Sequence, residues 1–523
     1  MLFNSYIFIL LFLPITIIGF FLIGERGYHR VAMSWLVMAS LLFYGYWHLA
    51  YLALILISIV FNYGIGIMLS TGQGFSRRWL LFAGVAINIG ALGYYKYANF
   101  FVDNINRFWG VGYHLDTIVL PLAISFFTFQ QVAFLVDAYR GEVRELNFLR
   151  YSLFVTFFPQ LIAGPIVHHK EMLPQFAHKE TYQPKTFNLM LGITIFTIGL
   201  FKKVVIADGI AEFSSPVFGA AEATNASLLF LEAWGGALGY TFQLYFDFSG
   251  YSDMAIGLAL MFGVQLPINF DSPYRACSII DFWRRWHMTL SRFLRDYLYI
   301  PLGGSRCSEP KRLVNLLVTM LLGGLWHGAG WTFVLWGGLH GIYLVINHLW
   351  RKLMEPLVES VPMVIRKFGR YFSLVLTFLA VVIGWVFFRA ESLDGALAIL
   401  RAMSGENGIV LPELWGRVLA LMSIPESWFS TARGDGPVFG RFDSVHGYYF
   451  IVVCLLWVWF VPNVRELFFS TKGKDCFPVV LASTEKRWWQ WRPNILWGVV
   501  AAVAFFSSLL HMTRVSEFLY FQF

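Results

Sequence analysis

Long apolar runs separated by short polar loops fill most of the chain. A helix that crosses a bilayer needs about 20 mostly apolar residues to span roughly 30 Å of hydrocarbon. Several runs are shorter, which indicates broken or re-entrant helices around an internal site, because irregular backbone at membrane depth must be buried in protein or line a cavity. The pattern predicts an all-α, polytopic membrane protein with about 11–14 spanning or re-entrant helices. The predicted helical runs are 5–23, 31–50, 51–69, 79–93, 118–136, 153–167, 189–206, 228–244, 254–264, 314–350, 372–388, 448–461 and 495–510.

Composition supports this class of protein and excludes others. The chain is 58% hydrophobic and only 13% charged, which a soluble globular domain cannot accommodate. The net charge of +8 does not indicate nucleic acid, because the basic residues lie in short loops between apolar runs. Membrane topology and anionic lipid headgroups explain them better. The four cysteines form no C-x-x-C pair, so we predict neither a metal site nor a disulfide framework.

The basic loops also predict an orientation and a division of the chain. The first apolar run lacks a positive leader and a cleavage site, so we interpret it as a retained span. Arg26 and Arg30 place the first loop in the cytoplasm and the N-terminus outside. We predict a membrane core over 1–390, an extramembrane subdomain over 391–447 with an amphipathic helix at 411–422, and C-terminal membrane helices over 448–523.

One histidine lies where a bilayer disfavours a polar group. From Val314 to Trp350 the chain carries no Asp, Glu, Lys or Arg, and His327 lies within this run in the sequence LLGGLWHGAG. A titratable group inside a membrane segment is a functional candidate. In apolar surroundings its neutral imidazole would accept a proton from a hydroxyl or act as a nucleophile, and the sequence leaves both open. The alternative is a histidine that only bonds across helices, as we predict for His340.

The segment 281–300 is both aromatic and charged. Placed on one helix, its aromatic residues form a stripe opposite its charges, which predicts an amphipathic element with His287 at the border of the two faces. Arg284 and Arg285 could bind the phosphates of a nucleotide-like ligand through charge-assisted hydrogen bonds. The alternative is an arginine-rich helix that lies among lipid headgroups.

Two carboxylates occur in the apolar segment 240–258. Asp247 and Asp253 could perform acid–base chemistry, or they could neutralise a neighbouring arginine, for which Arg284 and Arg285 are the candidates. Gly250 and the serines beside it predict a break in the helix at this point.

Several motifs, taken in their order along the chain, carry a resemblance to a known family. The motifs are KYANF at 96–100, PLAIS at 121–125, DAYR at 137–140, FPQLIAGP at 158–165, QLYFDFSGYSDMAIG at 243–257, FWRRWH at 282–287, RDYLYI at 295–300 and LWHG at 325–328. With these motifs the chain resembles the membrane-bound O-acyltransferases, in particular the bacterial branch that O-acetylates alginate, densely over about residues 1–400.

The resemblance implies helices around a central tunnel and an acyl transfer across the membrane. Acetyl-CoA would be the donor on the cytoplasmic side, an acceptor hydroxyl would lie on the outer side, and no metal would take part. His327 matches the catalytic histidine of the family, and His287 matches a second histidine of the bacterial branch. The substrate-binding candidates are Arg284, Arg285, Trp326, Gln243, Asp247 and Ser249.

These observations together predict an O-acetyltransferase of the bacterial inner membrane that delivers acetyl toward an exopolysaccharide such as alginate. The resemblance implies periplasmic partners, among them SGNH-like transferases, besides membrane lipids. The alternatives are a transporter or flippase of the acyl donor and a scaffold of a polysaccharide modification complex. Within the enzyme class, the acceptor could be cellulose, peptidoglycan or a teichoic-acid system, and the acyl group could be larger than acetyl.

Overall fold

Helices make up most of the chain that the structure describes. The computed structural model describes residues 1–72, 76–143, 146–223, 228–358, 362–412, 430–432, 446–469 and 488–513. The helices are α1 Leu13–Glu25, α2 His29–Gly45, α3 Leu49–Thr71, α4 Arg77–Trp109, α5 Ile124–Tyr139, α6 Phe148–Thr156, α7 Phe158–Leu161, α8 His169–Met172, α9 Thr186–Phe201, α10 Asp208–Ala221, α11 Phe230–Met261, α12 Ile279–Trp283, α13 Met288–Leu294, α14 Glu309–His327, α15 Trp331–Val358, α16 Met363–Arg389, α17 Leu393–Met403, α18 His446–Phe460, α19 Val464–Phe468 and α20 Ile495–His511. Shorter π-helical segments are Phe8–Phe12, Lys202–Ala207 and Arg295–Tyr299, and 3-10 turns are Leu173–Ala177, Lys179–Tyr182 and Pro273–Arg275.

The prediction of an all-α, polytopic membrane protein is confirmed. Within the parts of the chain that the structure describes, four helical stretches are long and apolar enough to cross a membrane by length and composition. Within the described ranges the only strands are β1, Val410–Pro412, and β2, Ser430–Ala432, which pair in parallel. The four stretches are Phe8–Glu25, Leu49–Thr71, Thr186–Ala221 and Met363–Arg389.

The predicted subdomain between the core and the C-terminal helices is only partly described. An amphipathic helix was predicted over 411–422. The first two residues of that range belong instead to strand β1, and residues 413–422 lie outside the described residues. A helix does occur nearby, as α17, whose buried residues include Ala396 and Ile399. The three-part division of the chain stays a prediction.

The helix break predicted at Gly250 is wrong. The runs predicted at 228–244 and 254–264 form one helix of 32 residues, α11. Helix α9 packs closely against α11 at Gly250, where a Cβ atom would lie 2.7 Å from the carbonyl oxygen of Gly199. Small residues permit such close contact between helices in membrane proteins, so this glycine brings two helices together and interrupts neither.

The single amphipathic helix predicted over 281–300 is also wrong. The segment consists of the end of α12, the helix α13 and a π-helical turn, with His287 between the first two. His287 has φ of 42°, in the left-handed region that side chains other than glycine rarely adopt. The chain therefore turns at His287, and this turn places the imidazole in the interior, where the residue is 0% exposed.

Helices α14 and α15 form an antiparallel hairpin within the predicted run 314–350. Glycines on both helices permit the close approach, since a Cβ atom at Gly337 would overlap the backbone carbonyl of Met320. The two ends of the hairpin lie on opposite sides of the molecule, which we call the Arg26 side and the Trp47 side after one residue on each. The Arg26 side contains the loop after α1, the start of α14 and the end of α15, whereas the Trp47 side contains the α2–α3 corner and the turn between α14 and α15.

Candidate active site

His327 is the last residue of α14 and faces a cavity on the Trp47 side. The residue is 8% exposed, and three rings contact its imidazole at centroid distances of 4.9 Å for Trp326 and 5.2 Å for both Trp336 and Phe388. The cavity has a volume of about 290 Å³. It is lined on the far side by the α2–α3 corner and by the residues before α5. The site is therefore a largely apolar chamber with one imidazole in its wall.

A half-buried lysine and a tyrosine of α4 bind the end of α14. Lys96 Nζ donates hydrogen bonds to the carbonyl oxygens of Trp326 (2.6 Å) and His327 (2.9 Å), and Tyr97 Oη donates to the carbonyl oxygen of Leu325 (2.8 Å). The last carbonyl groups of a helix have no partner within that helix, so these bonds satisfy groups that burial would otherwise leave unpaired. They also fix α14, and with it His327, against α4.

His287 has a defined tautomer in the structure. Its Nδ1 lies 3.0 Å from the side-chain oxygen of Asn269, which also accepts from the backbone N–H and the hydroxyl of Thr289. The amide nitrogen of Asn269 donates to Ser252 Oγ, and the backbone N–H of Thr289, which can only donate, fixes the orientation of the amide. An amide oxygen only accepts, so Nδ1 of a neutral His287 carries the proton and Nε2 has a free lone pair. Among the described residues, this buried Nε2 has no hydrogen-bond partner.

Trp326 connects the two histidines and the Arg26 side. Its ring centroid lies 4.9 Å from that of His327 and 6.5 Å from that of His287. On the other side, Phe129 stacks on Trp326 at 5.0 Å and on Phe293 at 4.2 Å, and Phe293 contacts Tyr297 at 4.9 Å. Tyr297 lines a polar cavity of about 340 Å³ on the Arg26 side. An aromatic column, comprising Tyr297, Phe293, Phe129 and Trp326, therefore leads from that face to the histidines.

The other predicted substrate-binding residues lie away from this chamber. Arg285 forms an ion pair with Asp281 at 2.9 Å, and Arg284 lines a different cavity on the Arg26 side. On α11, Gln243 accepts a hydrogen bond from a serine of α10, and Ser249 is buried. Of the six substrate-binding candidates, only Trp326 lines the same cavity as His327.

The two acids of α11 pair with lysines, which corrects the prediction that arginines neutralise them. Lys203 Nζ lies 2.7 Å from Asp247 Oδ1 and 2.6 Å from Asp208 Oδ1, and Lys202 Nζ lies 2.7 Å from Asp253 Oδ2. All five side chains are buried. This arrangement is typical of a structural ion-pair network, because isolated charges are costly inside a membrane protein.

Sequence reasoning assigned no role to Lys96 or Asn269. Lys96 stands in the KYANF motif, and a single lysine in an apolar helix was the available signal. Asn269 follows α11 in an irregular segment and offered no signal of its own. Across the parts of the chain that the structure describes, no group of three or more His, Cys, Asp or Glu side chains could hold a metal ion.

The fold and the site together define an integral membrane enzyme with a histidine-centred chamber. The sequence model of the membrane-bound O-acyltransferase family matches residues 105–360. A peptidoglycan O-acetyltransferase of Helicobacter pylori is 46% identical over 442 residues, which span 79% of this chain and 82% of the relative. A probable alginate O-acetylase AlgI of Pseudomonas aeruginosa is 44% identical over 79% of this chain and 77% of the relative. A teichoic acid D-alanyltransferase of Bacillus subtilis is 27% identical over 285 residues, which span 52% of this chain and 69% of the relative.

The chain belongs to the membrane-bound O-acyltransferase family. It is an O-acyltransferase with a polytopic membrane fold.

Proposed function

We propose that the protein transfers acetyl from cytoplasmic acetyl-CoA to an extracytoplasmic polysaccharide, with His327 at the point of transfer. The observation that carries the proposal is the position of His327 at the inner end of a chamber on one side, with the aromatic column arriving from the other side. The relatives named as O-acetyltransferases of polymers outside the cell support acetyl as the acyl group and a polymer as its destination.

The orientation follows from the distribution of basic residues. Arg26 and Arg30, Arg77 and Arg78 lie on the same side as the start of α14. Basic loops remain in the cytoplasm, so we assign the Arg26 side to the cytoplasm and the Trp47 side to the exterior of a bacterial inner membrane. The donor then approaches through the aromatic column, and the acceptor approaches through the chamber.

The chemistry at His327 has two possible courses. As a general base, its neutral imidazole takes the proton of the acceptor hydroxyl while that oxygen attacks the thioester carbonyl. As a nucleophile, the imidazole first takes the acetyl group and then passes it on. His287, with its proton fixed on Nδ1 and a free Nε2 lone pair, is arranged to accept a proton near the donor end. In both courses the sulfur leaves as the thiol of coenzyme A.

We propose alginate or a similar exopolysaccharide as the acceptor, reached through periplasmic partners such as SGNH-like transferases. Peptidoglycan is the second candidate, because the Helicobacter pylori relative that carries this name is 46% identical. The volume of the chamber, about 290 Å³, does not discriminate between these two acceptors.

The test is a cell-based complementation experiment. A strain that lacks its own copy of the gene is given the wild type, His327→Ala or His340→Gln, and the acetate released by mild alkali is measured separately from exopolysaccharide and from peptidoglycan. His340 is the matched control, because it is also buried in the same hairpin but does not line the chamber. We expect the wild type and His340→Gln to restore acetate and His327→Ala to restore none.

Each outcome of this experiment has a defined meaning. Acetate in exopolysaccharide alone supports the first acceptor, and acetate in peptidoglycan alone replaces it with the second. Full complementation by a well-expressed His327→Ala would contradict the proposal, because transport of an intact donor or a scaffold role does not require a proton acceptor at that position. Membrane abundance of each variant, measured by immunoblotting, separates loss of chemistry from loss of protein.

A further inference from the structure

Lys96 is a half-buried lysine that makes no ion pair with any carboxylate of the described residues. Its ammonium group donates to two backbone carbonyl oxygens and lies 5.8 Å from the ring centroid of Trp326. The side chain also lines the chamber together with His327. An ammonium carries three N–H donors, and two of them are used on α14. One N–H therefore remains on a group that borders the chamber.

The C-terminal end of α14 carries a partial negative charge, and the ammonium group of Lys96 lies beside it. A helix C-terminus carries roughly half a negative charge on its free carbonyl groups. His327 is the terminal residue of α14, so this negative end lies at the point of transfer. Acyl transfer places a second negative charge there, on the carbonyl oxygen of the tetrahedral state. Without a cation, the helix end would disfavour that state, and the aromatic walls around it are too apolar to compensate.

We propose that Lys96 stabilises the oxyanion of the acyl-transfer step, in addition to holding the end of α14. This inference rests on the proposed function. When the acceptor oxygen, or the imidazole of His327, forms its bond to the thioester carbon, the carbonyl electron pair moves to the oxygen, which accepts the third N–H of Lys96. When the tetrahedral state collapses, the C=O bond re-forms and the C–S bond breaks. In the general-base course the sulfur leaves with the proton that the imidazole has taken from the acceptor. In the nucleophilic course it leaves with the remaining N–H proton of the acetylated imidazole, and the acceptor hydroxyl then takes the acetyl group and returns its proton to the imidazole.

Lys96→Met tests the charge with little change in side-chain length. Tyr97→Phe is the matched comparison, since Tyr97 bonds the same helix end through a neutral hydroxyl and does not line the chamber. We expect Lys96→Met to lower kcat for coenzyme A release roughly 100-fold or more, the usual effect of removing one oxyanion donor, with KM for acetyl-CoA within about threefold. Tyr97→Phe is expected to lower kcat by less than about threefold, and Lys96→Arg, which keeps the charge, to recover at least about tenfold over Lys96→Met.

The assay uses the full-length protein in lipid nanodiscs with its cell membrane fraction as the source of acceptor and partners. Thermal melting of each variant shows whether the fold is kept. A purely structural role for Lys96 predicts that Lys96→Met and Tyr97→Phe lose kcat in parallel with their melting temperatures, and that result would overturn the inference, as would a kcat of Lys96→Met within threefold of wild type. Absence of acetyl-CoA cleavage by the wild type itself would instead count against the proposed function.

Discussion

Asn269 determines the proton position on His287, and its replacement by leucine isolates that effect. In Asn269→Leu the side chain keeps a similar volume but loses its oxygen, which accepts from His287 and twice from Thr289, and its amide, which donates to Ser252. At about 1 kcal/mol for each hydrogen bond, with an added penalty for donors left buried, the free energy of unfolding should fall by about 2–5 kcal/mol.

The expected effect of Asn269→Leu on kcat is smaller than its effect on stability, because only one of the lost hydrogen bonds involves His287. Release of the His287 Nδ1–H removes about 1–1.5 kcal/mol of preference for the productive tautomer and ring orientation, which corresponds to a roughly five- to tenfold lower kcat. The measurement is coenzyme A release by protein in nanodiscs, at a temperature where the variant remains folded.

Thr289→Val is the control for Asn269→Leu. It removes the hydroxyl that donates to Asn269 and accepts from the backbone N–H of Ile166, but it leaves the His287 bond in place. We expect a loss of thermal stability with kcat within about twofold of wild type. If Thr289→Val and Asn269→Leu lower kcat equally, the tautomer of His287 does not limit the reaction and this reasoning is refuted.

Two further predictions concern packing and charge inside the membrane. Gly337→Ala should lower the free energy of unfolding by about 1–3 kcal/mol and reduce activity, because its Cβ atom would overlap a backbone carbonyl of α14. The control is Gly338→Ala, whose Cβ atom meets only the end of a leucine side chain and which should be tolerated. The two variants are compared by melting temperature and by the acetate content of the polysaccharide. Lys203→Met should lower stability by about 3–5 kcal/mol, since Asp208 and Asp247 lose their shared ammonium; thermal melting measures it, and an unchanged melting temperature would argue against a structural ion pair.

The helical membrane fold was predictable from the sequence because it depends on local properties. Run length and the absence of charge from Val314 to Trp350 were enough to predict an apolar membrane run, which contains most of α14 and α15, and to single out His327. Predictions failed where a distant neighbour decides the local conformation. Gly250 interrupts nothing because Gly199 lies against it, and the turn at His287 depends on the buried amide of Asn269. No periodicity along one segment contains that information.

The residues at the centre of the candidate site were predictable from the sequence, whereas the residues that hold them in place were not. His327 and Trp326 adjoin in sequence and in space, so one motif contains both. Lys96 reaches them from 230 residues away, and only the folded chain shows which carbonyl groups its ammonium meets. Arg284 and Arg285 illustrate the opposite error, since a cluster of basic residues in sequence separates in the structure into one ion pair and one cavity wall.

Under the proposed function, the aromatic column also limits what crosses the membrane. Three ring-to-ring steps of 4.9, 4.2 and 5.0 Å connect Tyr297 to Trp326, and each ring is packed directly on the next. Such a stack provides an apolar surface along which an extended thioester arm can lie, but it offers no partners for phosphate groups, whose desolvation without compensation is prohibitive. The nucleotide part of the donor must therefore remain on the Arg26 side while its acetyl group reaches His327. Since the acceptor enters the chamber from the Trp47 side, the acetyl group alone passes across the membrane, and the enzyme has no need to open a passage wide enough for coenzyme A.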